Sequence, residues 1–256
     1  MESNRLSEIQ TDLPPCLSRY RSTVSLTGLN LRPGGLTLTG NAVDICNFKS
    51  GDLILDAGCG HGMTTRYLSD IHGIRTVGVD FNGEVLISAS RKSGGKIPFA
   101  RSRLPVLPFR SGAFDGIFCE CVLSQVRQKA QCLKEFFRLL RPNGKLVLAD
   151  VFMPLLFTSM FTGDLKDRFE GTCLSGTLTI PELIEALEGA GFGIEVMEGH
   201  TRLLEQMADS MIFQNACTDH LWKSVREIFA DSDMDRAGPT RRPKPGYCMI
   251  IAGKFQ

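Results

Sequence analysis

The sequence has almost no net charge: 29 lysines and arginines stand against 28 aspartates and glutamates, a formal +1. Nothing global draws it to a phosphate backbone or an anionic bilayer, so neither nucleic acid nor membrane is expected as a partner. It lacks any apolar run near the roughly 18 residues that span a bilayer. Its opening, MESNRLSEIQ, is too polar for a signal peptide, and the cytoplasm is the expected location. Internal repeats and low-complexity tracts are absent. The nine cysteines are odd in number and scattered, which excludes a disulfide scaffold. Cys119 and Cys121 stand two apart, but no second pair or nearby histidine completes a zinc pattern, so no metal site is expected.

What is present is a folded globule of 256 residues, 43% hydrophobic and 22% charged, long enough for one α/β domain and marginal for two. Residues 1–50 read as a leader: polar over 1–12, then Leu13-Pro14-Pro15-Cys16, the turn Arg32-Pro33-Gly34-Gly35, and a short helix over 38–47. From 51 onward the chain alternates. Strands are expected over 53–55, 76–79, 98–100, 113–118 and 145–149, with helices over 62–71, 83–92 and 128–140 between them. This order implies right-handed crossovers and helices on both faces of a parallel sheet. Residues 152–178 and 201–246 read as insertions, flanking a helix over 180–190 and a strand over 192–197; the run 247–252 is a final strand. The Phe- and Met-rich run 151–161 admits three readings: a lid with an apolar inner face, a dimer contact, or core packing of a bent helix.

The strongest local signal is Leu53-Ile-Leu-Asp56-Ala-Gly58-Cys-Gly60-His-Gly62, a buried strand running into closely spaced glycines that allow a ligand to approach the backbone. Its G-x-G-x-G spacing differs from the G-x-G-x-x-G of pyrophosphate binders. Asp80, at the end of Val77-Gly-Val-Asp80, is placed to take both hydroxyls of an adenosine ribose, and it argues against a 2′-phosphate. Asp56 adds a second carboxylate, suited to an ammonium group directly or through water. The pair fits an adenosine bearing an amino acid better than a dinucleotide, and a nucleotide-linked oxidoreductase is the lesser reading.

The stretch LILDAGCGHG, followed by VGVDFN, LPVLPFRSGAFDGIFCECVLS and LKEFFRLLRPNGKLVLAD, closely resembles the class I S-adenosylmethionine-dependent methyltransferases of the type 11 kind, over about residues 40–150. The resemblance implies a three-layer Rossmann-like sandwich with a seven-stranded, mostly parallel sheet in the order 3-2-1-4-5-7-6, its last strand antiparallel. It implies S-adenosyl-L-methionine as cofactor, S-adenosyl-L-homocysteine as product, and a small-molecule acceptor. By that resemblance Gly58, Cys59 and Gly60 lie against the amino-acid and ribose portion, Asp80 holds the ribose, Phe81 lies against adenine and Asp56 steers the ammonium group. The backbone of Cys119 and Glu120 lines the methionine side. Many relatives have an acid near the LPF element that reaches the adenine amino group; here Arg103 occupies that place, and a guanidinium cannot accept that bond. Leu104 backbone or Ser102 then takes over, or the loop register differs. More loosely, CLSRYRSTVSLTGLNLRPGGLTLT, ECVLS and FEGTCLSG resemble a small set of methyltransferases of anaerobes associated with selenium- or metal-related redox genes.

Ligands of open α/β sheets sit beyond the strand carboxyl ends, which nominates 14–38, 120–127, 151–178 and the region after Met197 as walls of the acceptor pocket. The usable groups there are Glu120, His200 and Tyr20 as catalytic candidates, and Arg32, Cys16, Cys121 and Cys173 as acceptor-binding ones. A thiolate cluster would suit an arsenic or selenium acceptor. The remaining alternative is a catalytically silent cofactor-binding or regulatory protein of the same fold. A monomer or a homodimer is compatible with all of these.

Overall fold

A computed structural model describes residues 32–155, 176–213 and 245–255. Seven strands form one sheet in the order β3-β2-β1-β4-β5-β7-β6. They are β1 (Leu53–Ala57), β2 (Arg75–Asp80), β3 (Phe99–Arg101), β4 (Phe114–Glu120), β5 (Leu140–Phe152), β6 (Gly193–Gly199) and β7 (Gly246–Gly253). The first five pair in parallel, and β7 runs antiparallel to both neighbours, β5 and β6. The fold class, the strand order and the antiparallel last strand are therefore as the sequence led one to expect.

The helices are α1 (Gly35–Cys46), α2 (Met63–His72), α3 (Gly83–Lys92), α4 (Lys129–Leu139), α5 (Ile180–Gly189) and α6 (Thr201–Phe213). The strict period of two along each strand divides the core between the two faces of the sheet. Ile117 and Cys119 of β4, Leu146 and Leu148 of β5, and Cys248 and Ile250 of β7 face α4 and α5, meeting Leu133, Phe136, Leu183 and Leu187. Their alternates Phe118, Val147, Ala149, Met249 and Ile251 face the other way, onto Leu38, Ala42 and Val43 of α1, Leu68 of α2 and Leu204 of α6. Central strands buried on both faces are uniformly apolar, which is why they read as short continuous hydrophobic runs.

Local chemistry sets the element ends. The Thr179 side chain accepts from Glu182 N while Glu182 accepts from Thr179 N at 2.8 Å, a capping box that starts α5. Asn82 caps α3 by accepting from Glu84 N at 2.9 Å. Several strand ends shift by one or two residues, and two elements differ more. Helix α1 begins at Gly35 rather than near 38, because Gly34, in the left-handed region at φ 74, turns the chain directly into it. Strand β5 extends beyond 145–149 at both ends: Leu140 pairs beside Phe114 before a register shift, and Asp150, Val151 and Phe152 pair with Cys248, Tyr247 and Gly246. Residues 1–31, 156–175, 214–244 and 256, and with them Cys16, Tyr20, Cys173, most of the Phe- and Met-rich run and most of the insertion 201–246, lie outside the described residues.

Candidate active site

The carboxyl ends of β1, β2 and β4 converge on the glycine loop between β1 and α2. Gly58 has φ 80, and a Cβ there would sit 2.4 Å from a Val122 methyl, so only glycine fits between this loop and the segment after β4. Gly60, at φ 50, differs: nothing lies within 4 Å of where its Cβ would be. The backbone here is bare and open, a cradle into which a ligand can settle.

Asp80, at the end of β2, closes one side of that cradle. One carboxylate oxygen accepts from Gly60 N and the other from Asn82 N, each at 2.9 Å, so the acid fixes the glycine loop against the start of α3. A carboxylate has about four acceptor sites, and two backbone bonds leave capacity for a pair of ligand hydroxyls. Phe81 beside it is 38% exposed, an aromatic face turned outward at the rim. The Arg103 guanidinium lies over that ring, 4.8 Å from its centroid. Ser102 donates its backbone N–H to Asp80 O at 3.0 Å and its hydroxyl to Val106 O. Leu104 is half-buried against the main core.

Asp56 sits deeper than an exposed ligand contact would. It is 3% exposed and accepts from the Thr65 hydroxyl at 2.6 Å. Burial pushes its carboxyl up to about 7, opposed by the Thr65 bond and raised further by Glu120. Cys59 and Cys119 are buried, and desolvation holds both thiols well above the ordinary range.

On the far side of the loop four side chains form a cluster. Glu120, at the end of β4, accepts from Arg32, from the Thr64 hydroxyl at 2.6 Å and from the Thr39 hydroxyl at 2.9 Å. Arg32 also donates to Thr64, Thr39 and the Gly35 carbonyl. The Glu120 side chain is 5% exposed and that of Arg32 15%. The carboxylate is thus surrounded by donors rather than presented as an unoccupied base, and the guanidinium is engaged rather than open to an anionic acceptor. Three elements, the approach to α1, the first turn of α2 and the end of β4, are joined through this one carboxylate.

Next to it, Cys121 adopts the left-handed region at φ 57 and places its sulfur 3.4 Å from the Tyr247 hydroxyl. Burial pushes the Cys121 thiol up to about 12 and the Tyr247 phenol well up. At physiological pH both are neutral, so Cys121 is not a thiolate. No group of three or more His, Cys, Asp or Glu that could hold a metal occurs among the described residues. The His200 ring pairs with Glu198 at 3.0 Å rather than with a member of the Arg32–Glu120 cluster, and its backbone N donates to Tyr247 O at 2.7 Å. His61, within the glycine loop, has a buried Nδ1 with no hydrogen-bond partner, and burial lowers its pKa.

The residues that the sequence reading missed are Thr39, Thr64, Thr65 and Tyr247. For the threonines a signal existed: each lies on the apolar stripe of its helix, Thr39 beside Leu38, Ala42 and Val43, Thr64 and Thr65 with Leu68, and all three are buried. A hydroxyl on a core-facing stripe needs a buried partner. For Tyr247, the antiparallel sense of β7 brings its first residues to the edge where the parallel strands end.

Residues 55–148 match the family described as a methyltransferase domain. Uncharacterized methyltransferase YodH of Bacillus subtilis is 29% identical over 221 residues, 84% of this chain and 90% of that protein. Phosphoethanolamine N-methyltransferase 1 of wheat (Triticum aestivum) is 26% identical over 181 residues, covering 68% of this chain but only 35% of the plant enzyme. Among solved structures, phosphoethanolamine N-methyltransferase 2 of Haemonchus contortus, in complex with phosphomonomethylethanolamine and S-adenosylhomocysteine, superposes over 96% of this chain and 61% of its own, with a TM-score of 0.72 at 20% identity. The [4+2]-cyclase SpnF shares the fold at a TM-score of 0.63 and 20% identity, over 86% of this chain and 80% of its own.

Proposed function

We propose that this chain, whose matched domain and relatives support a class I S-adenosylmethionine-dependent methyltransferase, transfers the methyl group of that cofactor to a small-molecule acceptor. S-adenosylmethionine is the cofactor. The observation that carries the reading is the open cradle at Gly60 with Asp80 bonded across it and the Phe81 face beside it.

In this reading the backbone of Gly58, Cys59 and Gly60 receives the amino-acid and ribose portion, and Asp80 accepts from the ribose hydroxyls. Phe81 meets adenine, the Leu104 backbone lies near it, and the backbone of Cys119 and Glu120 borders the methionine side. Asp56 acts on the ammonium group from beneath the loop through its hydrogen-bonded surroundings. The cofactor supplies a methyl group already activated by its sulfonium, so the chain need only align the acceptor and exclude water. Glu120, held by Arg32, Thr39 and Thr64, serves as a positioning residue that fixes the wall of the acceptor pocket. His200 and Tyr20 remain the candidates for taking a proton from the acceptor, with Arg32, Cys16, Cys121 and Cys173 as its neighbours.

Residues 1–50 then cap the acceptor side, and 152–178 and 201–246 complete its wall, on a monomer or homodimer. No helix among the described residues is long and apolar enough to cross a membrane; the cytoplasmic location is proposed from the sequence alone. The phosphoethanolamine N-methyltransferase relatives favour a small polar acceptor. The likeness to the anaerobe subgroup, and with it a metalloid acceptor, rests on the sequence motifs alone. The second reading is a catalytically silent cofactor-binding or regulatory protein of the same fold, since a fold does not by itself fix an activity. Incubation with S-adenosylmethionine labelled in its methyl group and a panel of small amines, phenols, carboxylic acids and thiols separates the two. Label in a small product supports the enzyme; donor binding with no labelled product from any class favours the silent protein.

A further inference from the structure

We infer that Arg103 is a base-binding residue of the donor site, holding adenine by stacking on its face where related proteins use an acid on its amino group. The inference rests on the donor site proposed above. Three observations converge. Phe81 presents an exposed ring directly after the ribose-binding candidate Asp80, and the Arg103 guanidinium covers that ring at 4.8 Å. Arg103 is itself exposed and enters no ion pair with a carboxylate among the described residues, so no other charge fixes it in place. The loop that bears it is anchored to the ribose acid, because Ser102 N donates to Asp80 O, and Arg101 Nε donates to Phe81 O at 3.0 Å.

A flat ring inserted between two partners needs about 3.5 Å on each side, roughly 7 Å in all. The guanidinium at 4.8 Å therefore has to withdraw by roughly 2 Å to admit adenine. An exposed arginine with several free torsions makes that movement on the fast timescale of side-chain rotation. Its planar, weakly hydrated cation then lies on the outer face of adenine as it lay on Phe81, exchanging one π-face for another. Such a stack is indifferent to the edge of the base, because every purine offers a π-face. A guanidinium has no lone pair for the adenine amino group; the Ser102 hydroxyl, which donates to Val106 O, keeps its acceptor lone pairs, and recognition through it would make the parent favour adenine over hypoxanthine. Without the stack, Arg103 would only compete with adenine for Phe81, and its removal would tighten binding. The two cases differ in sign.

The test is calorimetric titration of the full chain with S-adenosylhomocysteine and with its hypoxanthine counterpart, S-inosylhomocysteine. The parent, Arg103→Ala, Arg103→Lys, Arg103→Asp and Asp80→Ala are compared, with thermal melts to confirm folding. Arg103→Ala should weaken S-adenosylhomocysteine about 5- to 30-fold, and Arg103→Lys, which keeps the charge and loses the plane, should fall between it and the parent. The parent should bind the two nucleosides within about threefold of each other, whereas Arg103→Asp should favour adenine by tenfold or more, since its carboxylate can accept from the amino group. Unchanged or tighter binding by Arg103→Ala overturns the inference, as does a parent that rejects the hypoxanthine compound by more than tenfold. Parent binding abolished by Asp80→Ala establishes the donor site independently, so those results then count against the stack alone; no binding by the parent overturns both.

Discussion

Replacing Arg32 should destabilise the fold and not only the site. Its partner Glu120 is 5% exposed on its side chain, Arg32 is 15% exposed, and the two lie 88 residues apart in sequence. Arg32→Met keeps much of the volume but leaves a desolvated carboxylate with the hydroxyls of Thr39 and Thr64 as its remaining donors. Breaking a buried pair costs about 3–5 kcal/mol, and the two hydroxyls place this one near about 3. At about 2–4 °C per kcal/mol for a chain of this size, the melting temperature should fall by about 6–12 °C. Glu120→Gln should cost a similar amount, because it leaves the guanidinium unmatched. The double variant removes both charges together and should cost about 4 kcal/mol rather than the about 6 of the two singles added, a coupling energy of about 2 kcal/mol in a double-mutant cycle. Denaturant and thermal unfolding of the four proteins measure this. Single variants within about 0.5 kcal/mol of the parent and no coupling would show the pair to be solvated, as exposed pairs are, and would refute its role in fixing the acceptor wall.

Asp56 supplies a pH dependence. Its carboxyl is raised from 3.8 to about 7, so the native state binds more protons than the unfolded chain between those values. Stability from this group should therefore fall as pH rises from about 4 to about 7 and level off above. Asp56→Asn, which can still accept from Thr65, should lack that decline and melt higher than the parent at pH 8; identical pH slopes for the two would sink the assignment. Gly58→Ala should cost about 1–3 kcal/mol through its left-handed backbone and the clash with Val122. Adding Val122→Ala should return part of that loss, read by thermal melts, and no recovery would mean that the backbone conformation alone sets the cost.

The parts of the fold legible in the sequence are those where local pattern and burial coincide. β1, β4 and the centre of β5 are buried on both faces, so their apolar runs stood out. Asp80 was legible because the short apolar strand Val77-Gly-Val ends on it, which puts a carboxylate at the carboxyl end of a sheet strand. The flanks of β5 were not legible, since their pairing comes from β7, a strand about a hundred residues further on. The polar cluster shows the same limit: Arg32 and Glu120 were each visible as usable groups, but nothing local encodes that they neutralise one another. The buried threonines were misread by omission, because a single hydroxyl on an apolar stripe disturbs its periodicity too little to be noticed. Arg103 stood out as a departure from the family's pattern, whereas its contact with Phe81, 22 residues earlier, required the structure.

Binding of S-adenosylhomocysteine by the purified chain, measured beside Asp80→Ala, bears most directly on the donor site from which the rest follows. The expected result is micromolar binding by the parent that falls by at least a hundredfold in Asp80→Ala, with the two proteins equally folded by thermal melting. Equal affinity in both, or a well-folded parent that binds nothing, would contradict the assignment of the Gly60 cradle and Asp80 as the cofactor site.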